Sequence, residues 1–274
     1  MEIPNIWLWT WKIQDERVIQ EALDIGYHHF DTAWIYNNER ILGKVFDEEK
    51  TKREQLRITT KVWFDYVPDY KPHEFLENDF CYSQLESRLK QTFIDLKTEY
   101  LDLVLLHWPT DMDNDIFAFE KLLNYKREGR IRHLWVSNFP YSKLRNLYSY
   151  VWEELEFLEI EKHACLSNEK AEAFAHEKGI KIIAYSPLWH GHLLKNPLLE
   201  ELAAEEQVSV AQLCIAYIIE KWCICIPKSS SKERLLENYH AKEIHLSEKS
   251  ISIIDSMTKN HRYNNPPFAP DWED

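Results

Sequence analysis

Short apolar runs alternate along this chain with longer stretches in which apolar residues recur every three or four positions. Ile6–Thr10, His28–Asp31, Arg57–Lys61, Leu101–Leu106, Ile131–Val136, Phe157–Glu161, Lys181–Tyr185 and Cys223–Ile226 have the length and composition of strands. Between them, Asp15–Leu23, Asn38–Phe46, Glu74–Leu96, Asp115–Glu128, Ser142–Tyr150, Asn168–Lys178 and Ser209–Glu220 carry helical spacing, and Lys232–Asn238 starts a helix after the last strand. Leu101–Leu106 is nearly continuous in apolar residues, so that strand needs cover on both faces, as in a parallel sheet. Eight strands with helical crossovers predict an α/β fold, a single-domain (β/α)8 TIM barrel. An open doubly wound sheet is the structural alternative, but its dinucleotide site announces itself by G-x-G-x-x-G after an early strand, and the chain has no such run. The segment after Tyr185 and a tail at about 259–274, rich in Pro266, Pro267 and Pro270, are expected around the barrel rim.

Charge narrows the function. Over 274 residues, 46 acidic side chains stand against 33 Lys and Arg, a formal charge of -13. No long phosphate-tracking surface is expected, hence no nucleic-acid partner, though a local basic pocket is compatible with this balance. No apolar run has the length of a membrane span and the start has no signal-peptide pattern, so the expectation is a cytoplasmic protein without membrane contact. The five cysteines show no paired spacing, which gives no support to a disulfide framework or a metal site. Glycine is scarce, at 5 residues, against 11 tryptophans.

The reactive side chains fall at strand ends. Asp31 follows the second strand, Tyr36 lies in the loop after it, Lys61 ends the third strand and His107 follows the fourth. A barrel brings such positions to one rim, where barrel enzymes place their chemistry. Each residue alone has a plain structural role open to it: loop packing for Tyr36, a solvated end for Lys61, a helix cap for Asp31, a strand-end bond for His107. Together they form a proton-donating and carbonyl-orienting set.

These motifs identify a resemblance. FDTAWIYNNE at 30–39, TTKVW at 59–63, LLHWP at 105–109, VSNF at 136–139, AYSPL at 184–188 and IPKSSSKERLLEN at 226–238 resemble, in order, the motifs of the aldo-keto reductase family over nearly the whole chain. The resemblance implies one reductase-like domain over 1–274 that reduces an aldehyde or ketone with NADPH, NADH being the lesser candidate, and needs neither a metal nor an obligate protein partner. By it, Tyr36 is the general acid, Lys61 and Asp31 tune it, and His107 aligns the carbonyl. Ser137 and Asn138 would bind the cofactor carboxamide, Tyr185 would face the nicotinamide ring, and Thr10, Trp11, Ser186 and Leu188 would complete the lining. Lys228, Ser229 and Arg234 would hold phosphates, Arg234 the extra phosphate of NADP, with Glu237 and Asn238 at the adenine. Trp34, Trp63, Trp108 and Phe268 could shape an apolar substrate mouth.

The departures concern glycine. Trp7 and Trp9 in WLWTW, Trp135 before VSNF, Trp189 and His192 after AYSPL, Trp222 before the last strand and Asn37 after Tyr36 all stand where the family resembles glycine. Glu159 stands at a glutamine expected to hold the carboxamide, and a carboxylate does not donate the hydrogen bond that glutamine can. Trp9 is expected to narrow or block the nicotinamide pocket. The alternative function is therefore a catalytically impaired, reductase-like binding or structural protein.

Overall fold

The structure is a computed structural model that describes residues 4–48, 51–62 and 84–272. Eight strands form one sheet in sequence order, every adjacent pair parallel: β1 (Leu8–Trp9), β2 (His29–Asp31), β3 (Arg57–Val62), β4 (Leu101–Leu106), β5 (Ile131–Ser137), β6 (Leu155–Glu161), β7 (Lys181–Tyr185) and β8 (Ile224–Ile226). The sheet closes where Ile6 bridges Cys225 in parallel, the Trp7 amide donating to the Cys225 carbonyl at 3.0 Å and the Cys225 amide to the Asn5 carbonyl at 2.8 Å. The expected (β/α)8 barrel is therefore present, with no edge left to pair with another chain.

Ten helices surround the described strands: α1 (Glu16–Ile25), α2 (Glu39–Glu48), α3 (Leu85–Asp95), α4 (Met112–Arg127), α5 (Tyr141–Val151), α6 (Glu169–Lys178), α7 (Pro197–Glu205), α8 (Val210–Glu220), α9 (Lys232–His240) and α10 (Glu248–Asp255). Their starts follow from local chemistry. Asp15 accepts from the Arg17 amide to open α1, and Ser209 and Gln212 exchange a capping box at α8. The sequence reading missed α7 and α10, although Asn196 capping a helix with Pro197 in its first turn, and Ser247 accepting from the Ser250 amide, are legible start signals. It also placed β1 too long and began β6 two residues late. The first half of the expected helix 74–96 lies outside the described residues, as do Trp63 and Cys81.

All six residues of β4 are buried, as a strand covered by helices outside and barrel filling inside requires. Trp7, Leu103, Leu105, Trp135, Phe157, Ile183, Tyr185, Ile224 and Ile226 fill the barrel. Trp7 stacks on His29 at 3.4 Å and lies 5.5 Å from Trp135, so indoles occupy two positions of the barrel floor. Below, the buried Asp102 carboxylate accepts from Arg53 at 2.7 Å, Arg132 at 2.9 Å and the Ile58 amide at 3.1 Å, which joins β3, β4 and β5 at their starts.

Helices α2 and α3 touch through Gly43, where an added Cβ would lie 2.0 Å from the Asp95 carbonyl oxygen. Backbone cannot yield there as a flexible side chain would. Gly43→Ala is expected to destabilise the chain by about 1–3 kcal/mol, read as a lower urea midpoint at an unchanged slope.

Candidate active site

The rim at the strand C-termini gathers the expected four. Lys61, fully buried, donates from its ammonium to Asp31 Oδ1 and lies 3.5 Å from Glu159 Oε1. Its Nζ stands 5.5 Å from the centre of the Tyr36 ring, and that ring meets the His107 ring edge-on at 6.0 Å. Tyr36 reaches this cluster from a short 3-10 turn, Trp34–Tyr36, ended by Asn37 in the left-handed conformation at φ 54°. The buried Asn38 amide fixes the turn by donating to the Thr10 and Ile13 carbonyls, at 2.8 and 3.2 Å, while its oxygen accepts from Thr32 at 2.7 Å. Thr10 itself donates through Oγ1 to the Asp31 carbonyl at 2.9 Å.

Burial dominates the protonation of this set. Burial raises the Tyr36 phenol above its ordinary value, and the nearby Lys61 charge does not reverse that shift. Lys61 alone would ease the tyrosine toward phenolate, but desolvation outweighs it, and the Asp31 and Glu159 carboxyl groups oppose it. Burial alone would strip Lys61 of its proton, yet Asp31 and Glu159 together hold its pKa above the lysine range. Burial, with Lys61 adding to it, keeps His107 a neutral imidazole. Desolvation, reinforced by Asp31, pushes Glu159 up to about 8, and Asp31 is raised for the same first reason. One ammonium facing two buried acids is neutralised when the acids hold one proton between them. Both acids are raised, so that proton belongs to the pair, and a carboxyl group that holds it can donate a hydrogen bond where a carboxylate cannot.

Ser137 and Asn138 adjoin this group. The Asn138 amide donates to the Glu159 carbonyl at 2.9 Å, and its side chain donates to the His107 carbonyl and to Ser137 Oγ, both at 3.0 Å. Tyr185 donates to Asn138 Oδ1 at 2.6 Å and accepts from Asn264 at 3.0 Å. Sequence reasoning missed what holds Asn264 there: the buried Glu161 carboxylate accepts from the Tyr263 and Asn264 amides at 2.9 and 2.8 Å. Nothing in EIEKH distinguishes that glutamate before its tail partner is known. Trp34, Trp108 and Phe268 do cluster, with Trp272 beside them, the Trp108 and Phe268 rings at 5.5 Å.

A cleft of about 830 Å³ leads away from the rim, lined by Trp9, Trp11, Ser186, Leu188, Lys228, Ser229, Arg234, Glu237 and Asn238 among others. All the residues expected at the phosphates and adenine converge on it.

The sequence pattern of the Aldo/keto reductase family matches residues 10–259. The chain belongs to the aldo/keto reductase family. It is 33% identical to methylglyoxal reductase DkgB of Escherichia coli O157:H7, with both chains covered completely. With the aldose reductase of Encephalitozoon cuniculi it shares 31% over 98% of this chain and 95% of that one. The fold matches MGS-M4, an aldo-keto reductase from a Medee basin deep-sea metagenome library, with a TM-score of 0.88 at 26% identity, over 99% and 97% of the two chains. Membership supports the family's general chemistry, oxidoreduction of carbonyl compounds with a nicotinamide cofactor.

The aldo/keto reductase cleft accepts such a cofactor unequally. Its basic end presents Lys12, Lys228, Arg234 and several hydroxyls to a polyphosphate, and it fits. Its other end does not. The Trp9 indole donates from Nε1 to the Tyr36 hydroxyl at 3.0 Å, lies 5.9 Å from the Tyr185 ring and stacks on Trp11 at 5.3 Å. The indole thus stands between the Tyr36 hydroxyl and the Tyr185 ring, where the nicotinamide is expected.

The shared proton makes stability depend on pH. Glu159 has an ordinary value of 4.5 when unfolded and about 8 in place, so the folded chain keeps a proton that the unfolded chain has released. That contribution is fully present below the lower value and is lost as pH rises through the upper one. Glu39, pushed up to about 7, and Asp115, to about 6, act in the same direction. His29 and His107, held neutral by burial, and Lys259, lowered to about 8, act the other way, so the readout is a difference: in chemical denaturation from pH 5 to 9 the chain is expected to lose stability relative to Glu159→Gln.

Proposed function

We propose that this chain reduces an aldehyde or ketone to an alcohol, with NADPH as reductant and Tyr36 as proton donor. The observation that carries the reading is the convergence of Asp31, Tyr36, Lys61 and His107 on one rim, beside a cleft whose far end holds Lys228, Ser229 and Arg234.

A carbonyl entering between Tyr36 and His107 meets two groups suited to its oxygen. Tyr36 keeps its proton well above neutral pH and can release it only to a strongly basic acceptor, which an oxygen becoming alkoxide-like is. Neutral His107 can donate a hydrogen bond to the carbonyl without adding a charge to the site. Lys61, fixed by Asp31 and Glu159, supplies the positive field that offsets a phenolate once the proton has left.

Ser137, Asn138 and protonated Glu159 offer donors and acceptors for a carboxamide, Thr10, Trp11, Ser186, Leu188 and Tyr185 line its approach, and Lys228, Ser229 and Arg234 suit phosphates with Glu237 and Asn238 beside them. Arg234 favours NADPH over NADH because a guanidinium suits the additional phosphate. The tail from about 259 would close the rim over a small substrate. The names of the relatives make methylglyoxal and other small reactive carbonyls the first compounds to test, and the cytoplasm is the compartment where such a reductant is held. A second reading, a binding protein that keeps the cleft without turnover, is favoured by the Trp9 indole at the Tyr36 hydroxyl.

Nicotinamide fluorescence during NADPH titration, followed by turnover on an aldehyde panel, separates the two. Turnover supports the reductase; binding without turnover supports the second reading. In the reductase, Tyr36→Phe should lower kcat by about 100-fold or more with little change in cofactor affinity. Arg234→Ala should weaken NADPH by about 10- to 100-fold and leave NADH unaffected. Equal losses for both cofactors would remove Arg234 from the phosphate assignment.

A further inference from the structure

Three of the chain's eleven tryptophans, Trp152, Trp189 and Trp222, have positive φ, at 50°, 45° and 60°. Among the described residues no phenylalanine or tyrosine does. A bulky aromatic side chain is disfavoured there because its Cβ crowds the backbone, whereas glycine enters freely.

The three tryptophans also occupy turns that this chain elsewhere gives to glycine. Gly26 and Gly179 end α1 and α6 in the left-handed conformation, at φ 112° and 71°, and Gly129 makes the same turn after α4 at 75°. Trp222 makes it after α8, its amide donating to the Ile219 carbonyl at 2.9 Å, with 89% of the residue exposed to solvent. Trp152 follows α5 with φ 50° and ψ -130°, a combination that only glycine adopts readily, and is 69% exposed. Lys97 and Gln207 make left-handed turns after α3 and α7, so flexible side chains are tolerated. Exposed indoles gain nothing in packing to offset the strain. Trp189 begins a run of three left-handed residues completed by His190 and Gly191.

Trp9 points the same way from a different direction. Its backbone is ordinary strand, but its indole fills the one volume that the cleft needs open. Total glycine is 5 in 274 residues, against the roughly 7% of ordinary chains. A single cause for all four positions would be the codon UGA, which some genetic codes read as tryptophan and others as glycine.

We infer that the cell to which this gene belongs builds the protein with glycine at positions 9, 152, 189 and 222, and that glycine at 9 opens the nicotinamide end of the cleft. The claim at 152, 189 and 222 stands on backbone geometry alone. Its consequence at position 9 rests on the reductase reading.

Peptide mass spectrometry of the protein isolated from its own cells reads the four positions directly. Each covering peptide is expected to be lighter by the difference between a tryptophan and a glycine residue; tryptophan at any of the four overturns the inference. Variants of the chain carrying tryptophan test the physical basis. Replacing the exposed Trp152 and Trp222 together by glycine should raise the melting temperature by about 2–4 °C or more, and an unchanged or lower value overturns the strain on which the inference stands; a triple variant adds Trp189, whose ring also contacts His163, His192 and His261. Adding Trp9→Gly to that triple variant should tighten NADPH by about 10-fold or more. A stabilised variant that still fails to bind NADPH counts against the reductase reading instead, and leaves the glycine assignment to the mass measurement.

Discussion

A lysine with no exposure to water sets the terms for this site. Removing an ammonium from solvent costs several kcal/mol even after relaxation, so Lys61 remains charged only because Asp31 and Glu159 meet it inside the barrel. Those three residues come from β3, β2 and β6, which is possible only where a closed sheet turns strand ends from distant parts of the sequence toward one axis. The barrel is thus what makes the charge tolerable. Breaking one arm would leave a buried charge unmatched, a more serious loss than the removal of a surface pair.

The same accounting explains Glu159. A glutamine at this position would leave the Lys61–Asp31 pair neutral as it stands; a glutamate adds an acid that must hold a proton for the interior to remain neutral. Tyr36, His107 and Glu159 are all kept in their uncharged forms chiefly by burial, so the site is a set of neutral donors around one compensated cation. In the proposed reduction, such a set would meet the negative charge that develops on a bound oxygen. It costs little reorganisation at that moment.

The barrel was legible because β4 reads as continuous apolar sequence and because turn and cap signals separate the other strands clearly. Asp31, Tyr36, Lys61 and His107 were legible because motif order and strand-end position agree. Two helices were missed in segments treated as rim additions, where Asn196 and Ser247 gave local cues that competed with no strong periodicity. Glu161 and Asn264 were not legible, since their bond spans about a hundred residues and neither has meaning without the other. The raised pKa of Glu159 was not legible for a related reason: a residue's charge follows from its neighbours in space. The tryptophans at glycine positions were visible from the beginning. The left-handed backbones of two of them, Trp189 and Trp222, gave that oddity a physical content.

The shared proton can be observed without substrate or cofactor. Infrared spectra in the carboxyl region at pH 7, taken as the difference between the unsubstituted chain and Glu159→Gln, should contain the C=O band of a protonated carboxylic acid that disappears in the variant. A difference showing only carboxylate bands would mean that both acids are ionised around Lys61, and would contradict the account of a site held neutral by one proton between two carboxyl groups.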